Sequence, residues 1–142
     1  MATYTKYESF IEFLINALVD AFGTTDTFKA AIHTDAPVVG TDDELADLTQ
    51  VSGVNGYTTG GDDIQNDSTR SGGTVTFTAV DVVWTASGGN LGNSTTGRYF
   101  SIHDDTSTTD KLMCYFDYGA TFTVATGETM TLDFGANLFT IA

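Results

Sequence analysis

Few side chains of this chain could act together as a nucleophile and a base. Its two histidines are His33 and His103, and both lie on predicted strands among polar residues. Ser101, His103 and Asp104 have the residue types of a hydrolase triad. However, Ser101 and His103 are two positions apart on one strand, and no Gly-x-Ser-x-Gly turn or oxyanion-hole signature accompanies them. We therefore predict that the chain is not an enzyme and has no catalytic residues.

Acidic side chains are the second group that could take part in catalysis or bind a metal ion. A glycosidase needs two carboxyl groups facing each other at about 5 to 10 Å, whereas adjacent pairs such as Asp62-Asp63 alternate sides of a strand or crowd one loop. Calcium prefers several oxygen ligands from loops, but the EF-hand spacing is missing here. Zinc at His33 and His103 would need further Asp ligands. We predict solvated acidic loops and no cofactor, with a structural calcium ion as the alternative. The candidate calcium loops contain Asp104, Asp105, Thr106 and Asp110, and Asp62, Asp63, Asn66 and Asp67.

The charge and the single cysteine restrict the partners. There are 19 acidic and 5 basic residues, for a formal net charge of −14. Such a chain repels phosphate backbones and anionic membrane surfaces, so neither nucleic acid nor a membrane is expected as a partner. Residues 10–22 are interrupted by polar side chains, which argues against a signal peptide or a membrane span. Cys114 has no disulfide partner in the chain and is predicted to be buried.

Residues 6–22 are predicted to form one helix within an N-terminal helical segment, residues 1–26. Thr5 and Glu8 have the spacing of a capping box, and Gly23 suits a left-handed C-terminal cap. The polar side chains recur every fourth residue and form only a narrow stripe, so a second burial partner is expected besides the sheet. The alternative is a helix covered entirely by its own β domain. The residues predicted to form the interface are Tyr7, Phe10, Ile11, Phe13, Leu14, Ile15, Leu18, Val19 and Phe22.

From residue 27 the apolar residues alternate with period two, which indicates strands. We predict a mainly β domain, residues 27–142, built as an antiparallel sandwich of jelly-roll type. The parity of apolar residues changes between Phe77 and Trp84. This change predicts a bend near Val80-Asp81 that places the side chains of Phe77 and Trp84 in the core. Leu45 and Leu48 are predicted to point inward from a helical turn. The short connections at Gly119-Ala120 and Thr126-Gly127 predict a C-terminal meander of strands.

Several segments from Lys29 onwards resemble a recurrent group of small virion proteins of tailed bacteriophages, encoded among the capsid genes. The matching stretches are Thr34-Asp35-Ala36-Pro37, Leu45-Ala46-Asp47-Leu48-Thr49-Gln50, Asn55-Gly56-Tyr57-Thr58 with Gly60-Gly61, Asp81-Val82-Val83-Trp84-Thr85-Ala86, Arg98-Tyr99, Asp117-Tyr118-Gly119, and Gly127-Glu128-Thr129 with Leu132-Asp133-Phe134.

This resemblance implies a β-rich structural protein on the capsid exterior, a decoration or cement protein whose partner is the major capsid protein. It brings no catalytic residues with it. Symmetric sites on a shell favour a homotrimer. The alternative is a head-fibre or tail-associated module that binds host glycans through Tyr57, Tyr99 and the Gly-rich loops.

Overall fold

The period-two alternation is realised as antiparallel β-structure. The computed structural model describes residues 2–16, 18–19, 21 and 25–142, and at position 15 the backbone only. The chain is mainly β, with one α-helix in this described part and no closed barrel. The helix α1 spans Phe10–Ile15. The strands are β1 (Thr3–Lys6), β2 (Phe28–His33), β3 (Asp62–Asp63), β4 (Asp67–Ser71), β5 (Thr74–Thr78), β6 (Val82–Thr85), β7 (Gly97–Asp104), β8 (Lys111–Phe122), β9 (Thr129–Leu132) and β10 (Phe139–Ile141).

The largest sheet has the strand order β1-β8-β7-β2-β3. Strands β7 and β8 form a long hairpin whose register shifts between Ile102 and His103. Strand β2 pairs with β7 so that Ala31 lies opposite Ser101 and His33 opposite Tyr99. Nearly every residue of β2 and β7 is buried, because both faces of the sheet are covered.

Two smaller sheets have the orders β10-β5-β4 and β6-β9. The predicted bend near Val80-Asp81 is present, and at this point the chain leaves one small sheet and enters the other. Phe77, before the bend, and Trp84, after it, are both buried as predicted. The predicted C-terminal meander is wrong, since β8 continues through Gly119 to Phe122 and β8, β9 and β10 belong to three different sheets.

Buried apolar residues form two clusters. The larger one combines residues of all three sheets, including Phe28 and Phe100 from the large sheet, Phe77 from β5, and Trp84 from β6. Rings stack within it, with 5.7 Å between the centroids of Trp84 and Phe100. The smaller cluster comprises Tyr7, Ala31, Leu45, Leu48 and Leu112. Leu45 and Leu48 therefore point inward as predicted, from a short 3-10 helix at Leu45–Asp47.

The prediction of one helix over residues 6–22 is wrong. Thr3–Lys6 is the edge strand β1, paired with Cys114–Asp117 of β8. The predicted capping box fails because Thr5 lies in this strand, and α1 instead begins after Ser9. β-branched and aromatic side chains in residues 3–5 favour a strand when a partner is available. Ala17, Asp20 and residues 22–24, including the predicted cap Gly23, lie outside the described residues.

A strand made only of polar residues, β4, forms a hairpin with β5. Asp67 lies opposite Thr78 and Ser71 lies opposite Thr74, so Gly72-Gly73 form a two-residue hairpin turn. Gly72 has φ +59°, a conformation that glycine adopts at little cost and that hairpin turns of this length require.

Candidate functional site

Ser101, His33 and Asp35 form a hydrogen-bonded arrangement of the Ser-His-Asp type. The register of β2 and β7 places His33 diagonally across from Ser101, and His33 Nε2 lies 2.7 Å from Ser101 Oγ. His33 Nδ1 lies 3.1 Å from the backbone carbonyl oxygen of Asp35 and 3.5 Å from its Oδ1. Tyr7 OH lies 3.2 Å from Ser101 Oγ on the other side. Donation from Nδ1–H to the Asp35 carbonyl leaves Nε2 to accept the Ser101 O–H.

This arrangement is enclosed by the fold. Ser101, His33 and Tyr7 are all fully buried, and the His33 ring stacks on Tyr99 at 5.5 Å. Burial lowers the pKa of His33, although Asp35 opposes that effect. A serine nucleophile must reach its substrate, and Ser101 Oγ has no exposed surface. The network therefore satisfies polar groups inside the smaller apolar cluster, as buried hydrogen-bonding groups require.

Ser101, His103 and Asp104, which have the residue types of a triad but were not predicted to form one, are not joined by hydrogen bonds. Ser101 bonds to His33 instead, and Asp104 Oδ1 accepts hydrogen bonds from the backbone N–H groups of Thr106 and Ser107. Burial raises the pKa of the Asp104 carboxyl, and the neighbouring Asp26 raises it further. His33 and His103 also do not share a metal site, because His103 pairs with Lys29, four positions from His33 along β2.

His103 lies instead against the loop between β7 and β8. The possible metal-ligating atoms of His103, Asp105 and Asp110 lie within 4.8 Å of one another, and this is the one such group of His, Cys, Asp and Glu in the described part of the chain. Lys29 Nζ lies 2.7 Å from Asp105 Oδ2. Burial lowers the pKa of His103 to about 4, with Lys29 acting in the same direction and Asp105 against it.

The second candidate calcium loop, residues 62–67, uses its polar groups locally. Asn66 Oδ1 accepts the N–H of Phe28, and Asn66 Nδ2 donates to the carbonyl of Asp26. Asp63 Oδ1 and Asp67 Oδ1 accept backbone N–H groups of Gln65 and Ser68. These bonds fix the loop that joins β3 to β4.

A cavity of about 530 Å³ lies beside the β1–β8 edge of the large sheet. Exposed residues contribute to its wall, so it is open to solvent; Tyr4 is 37% exposed and Tyr118 49%. Its deeper wall contains Phe100, Phe116 and Leu138, all buried. Asp133 and Asn137 add polar groups. This volume and this mixture of aromatic and polar groups are typical of sites that accept a small ligand or a protruding side chain.

Four of the nine predicted interface side chains are not available at the surface. Tyr7, Phe10, Phe13 and Val19 are buried within this chain, which corrects their assignment to an intermolecular contact. The short helix packs on β8, and Phe10, Phe13 and Val19 belong to the larger buried cluster, whereas Tyr7 belongs to the smaller one. Of the others, Ile11 is 42% exposed, Leu18 is 49% exposed and Leu14 is partly buried. The Ile15 side chain and Phe22 lie outside the described residues.

The two tyrosines named for the alternative glycan-binding function, Tyr57 and Tyr99, are also buried. Tyr57 OH accepts the N–H of Ile32 and donates to Gln50 Oε1, and Tyr99 packs against His33. The alternation pattern could not identify Tyr57 as an internal residue, because it lies in a loop that folds back onto β2. Tyr4 and Tyr118 are the more accessible aromatic residues, and Tyr4 was not among the predicted site residues.

No protein family, curated protein or solved structure matches this chain. None of the helices in the described part of the chain has the length and hydrophobicity needed to span a bilayer.

Proposed function

We propose that this protein is a non-enzymatic structural component of a bacteriophage virion. It decorates the exterior of the head, binds the major capsid protein through protein–protein contacts and stabilises the shell as a cement protein. In this proposal the free protein is a homotrimer, and its sheets form a sandwich of jelly-roll type. The resemblance of residues 29–142 to small phage virion proteins motivates the assignment.

The aromatic cavity beside β1 is the observation that supports this function most directly. Strand β1 pairs with β8 on one side and has no second neighbouring strand among the described residues. Its free edge can accept an extended segment of a partner by backbone hydrogen bonding, while the adjacent cavity receives a side chain of that segment. Tyrosines at the rim provide the large amphipathic contact area on which protein interfaces depend.

Repetition over a shell makes a modest interface sufficient. Apolar burial contributes about 25 cal/mol per Å², so the stabilisation of the shell by a modest contact is multiplied by the number of copies bound. The exposed Ile11 and Leu18 provide further apolar surface on the N-terminal segment. The formal net charge of −14 keeps decorated particles dispersed.

The test is attachment of the purified protein to particles that lack it. Wild type should bind at a fixed number of copies per particle, measured by sedimentation and quantitative electrophoresis, and should raise the temperature of DNA release. Tyr4→Ser with Tyr118→Ser removes the aromatic rim, and Asn137→Trp fills the cavity. Each change should weaken attachment at least about tenfold, as expected for residues central to an interface.

Val80→Ser is the matched control, because Val80 is 52% exposed and does not line the cavity. It should bind like wild type. Equal attachment of the cavity variants and wild type would contradict the assignment of the interface, and failure of wild type to bind any particle would contradict the function. Sedimentation equilibrium of the free protein tests the trimer.

Glycan binding by a head-fibre or tail-associated module is the second candidate. Tyr4 and Tyr118 stand beside Asp133 and Asn137 in the same cavity, and aromatic rings with nearby carboxylate and amide groups suit a sugar. Saturable binding of host surface polysaccharide that is lost in Asn137→Trp, without attachment to capsids, would favour this function over the first.

A further inference from the structure

The side chain of His103 is buried without a protein partner. It is fully inaccessible to solvent, and neither Nδ1 nor Nε2 has a hydrogen-bond partner among the described residues. A buried polar group normally has a partner, because its lost hydration is otherwise not replaced. His33, on the same sheet, has partners for both ring nitrogens. The His103 ring therefore lacks the hydrogen-bond partners that the His33 ring has.

Two carboxylates lie where that missing partner would be. Ligand atoms of Asp105, Asp110 and His103 are all within 4.8 Å of one another. The loop that bears the carboxylates is fastened on both sides, since Asp105 N–H donates to the carbonyl of Thr27 and the Asp110 carbonyl accepts the N–H of Leu45. The two acidic groups are thus held close together next to an imidazole, where a cation would relieve their repulsion.

We propose that His103, Asp105 and Asp110 bind one divalent transition-metal ion of the zinc type. One imidazole nitrogen and two carboxylate oxygens form a donor set that suits zinc and its neighbours, whereas calcium selects oxygen ligands alone. Bond lengths of about 2.0 to 2.2 Å put tetrahedral ligand atoms roughly 3.4 Å apart. The three side chains therefore close by an ångström or so around the ion, and water completes the coordination.

The protonation states suit a metal ligand. Burial keeps the His103 imidazole neutral near pH 7, because its pKa is lowered to about 4. The neutral ring is the form that binds a metal. Burial raises the pKa of Asp110, and the negative charge of Asp105 adds to this effect while Lys29 opposes it.

Lys29 is the competitor for this site. Its Nζ lies 2.7 Å from Asp105 Oδ2, so the ammonium group neutralises one carboxylate in the metal-free protein. Lys29 cannot satisfy the ring of His103, because an ammonium group only donates hydrogen bonds and leaves the N–H donor of the imidazole unpaired. A metal ion would displace Lys29 from Asp105, and removal of Lys29 should strengthen metal binding.

The experiment is titration of the full chain, free of any affinity tag and stripped with EDTA, with Zn²⁺ in a calorimeter. One ion should bind per chain and raise the thermal unfolding midpoint. His103→Leu, Asp105→Asn and Asp110→Asn should each weaken binding at least about tenfold, as losses at metal sites commonly do. Glu128→Gln removes one charge from the turn before β9, outside the large sheet and the cavity, and keeps an oxygen that can accept the N–H of Ala125; it should change affinity by no more than about twofold. Lys29→Met should bind more tightly than wild type.

Direct readouts separate coordination from general attraction to an acidic protein. Zn²⁺ should shift the ring nitrogen resonances of His103 and leave those of His33 unchanged, and Co²⁺ should give visible absorption that His103→Leu abolishes. The proposal is overturned if wild type shows no saturable binding, or if folded His103→Leu binds Zn²⁺ as tightly as wild type. Weaker binding by Lys29→Met would overturn the proposed competition. None of these results depends on attachment to a capsid.

Discussion

The two histidines of the large sheet occupy equally buried positions in opposite chemical situations. His33 accepts a hydrogen bond from Ser101 and donates to the carbonyl of Asp35, so burial leaves its ring satisfied. His103 has no such partners within the described residues. An unsatisfied buried polar group costs about 1 to 3 kcal/mol. Replacement of the two rings by an apolar side chain should therefore have opposite effects on the metal-free protein.

His103→Leu should leave the free energy of unfolding unchanged or raise it at pH 7 in EDTA, whereas His33→Leu should lower it by about 1 to 3 kcal/mol. Urea unfolding followed by tryptophan fluorescence measures both. A loss of stability in His103→Leu as large as that in His33→Leu would show that the His103 ring makes hydrogen bonds in the folded protein.

The difference in the free energy of unfolding between wild type and His103→Leu should depend on pH. The pKa of His103 in the folded protein, about 4, lies below its ordinary value of 6.5, so the unfolded chain binds the proton first. The contribution of the neutral ring is complete above about pH 6.5 and is lost as the pH falls towards 4. Relative to His103→Leu, wild type should lose on the order of 3 kcal/mol across this window. The difference between the two proteins isolates His103 from Asp104, whose raised pKa acts in the opposite direction.

At the scale of elements, the N-terminal segment belongs to the folded core. Strand β1 extends the large sheet, and Phe10 of α1 packs edge-on against Phe139 of β10 with 5.6 Å between ring centroids. The segment thus joins the large sheet to a small one, and its removal would expose the core of both. It cannot be regarded as a detachable interface helix.

Phe10→Ala should lower the free energy of unfolding by about 3 to 5 kcal/mol, because it leaves a cavity among buried rings. Ile11→Ala, the adjacent residue on the exposed side of the helix, should cost less than about 1 kcal/mol. Chemical denaturation of the isolated protein gives both values. Equal effects of the two substitutions would mean that α1 is not packed as described.

Alternation identified the strands that have a buried face. Strand β2, the body of β7 and the bend between β5 and β6 could be predicted because Phe28, Phe77 and Trp84 follow the parity of an apolar core. Strand β4 could not, since its five residues are polar and its pairing depends on β5. The short strand β1 was not predicted, and its last residue, Lys6, was placed in the helix, because its partner, β8, lies far along the chain.

The candidate sites could be predicted only where they are local. Asp105 and Asp110 were assigned to one acidic loop from their spacing, but the direction of His103 depends on the register of the β7–β8 hairpin. The contact between Ser101 and His33 depends on the register between β2 and β7 in the same way. The cavity combines residues from several separated segments, and no local pattern marks such a combination.

At the scale of the whole molecule, the acidic excess dominates the electrostatics. Lysine and arginine side chains form three ion pairs with carboxylates in the described residues, Lys29–Asp105, Arg98–Asp117 and Lys111–Glu44. They neutralise only a small part of a formal net charge of −14. Repulsion among the remaining carboxylates destabilises the compact state relative to the expanded chain.

The thermal unfolding midpoint should therefore rise with NaCl, since screening shortens the Debye length from about 30 Å at 0.01 M to about 3 Å at 1 M. Scanning calorimetry at pH 7 measures this. Sucrose at matched osmolality controls for effects on hydration. A decrease of the midpoint when NaCl is raised from low to moderate concentration would mean that the three ion pairs outweigh the general repulsion.

The pairing of β1 with β8 also limits how early the large sheet can fold during synthesis. Thr3 lies opposite Asp117, 114 positions later. During synthesis the first strand therefore has no partner until most of the polypeptide has emerged, and non-local pairing of this kind is slow to form. An unprotected, aromatic-containing edge during that interval is a site where nascent chains can associate. Recombinant yield should accordingly depend on chaperones that bind the early part of the chain.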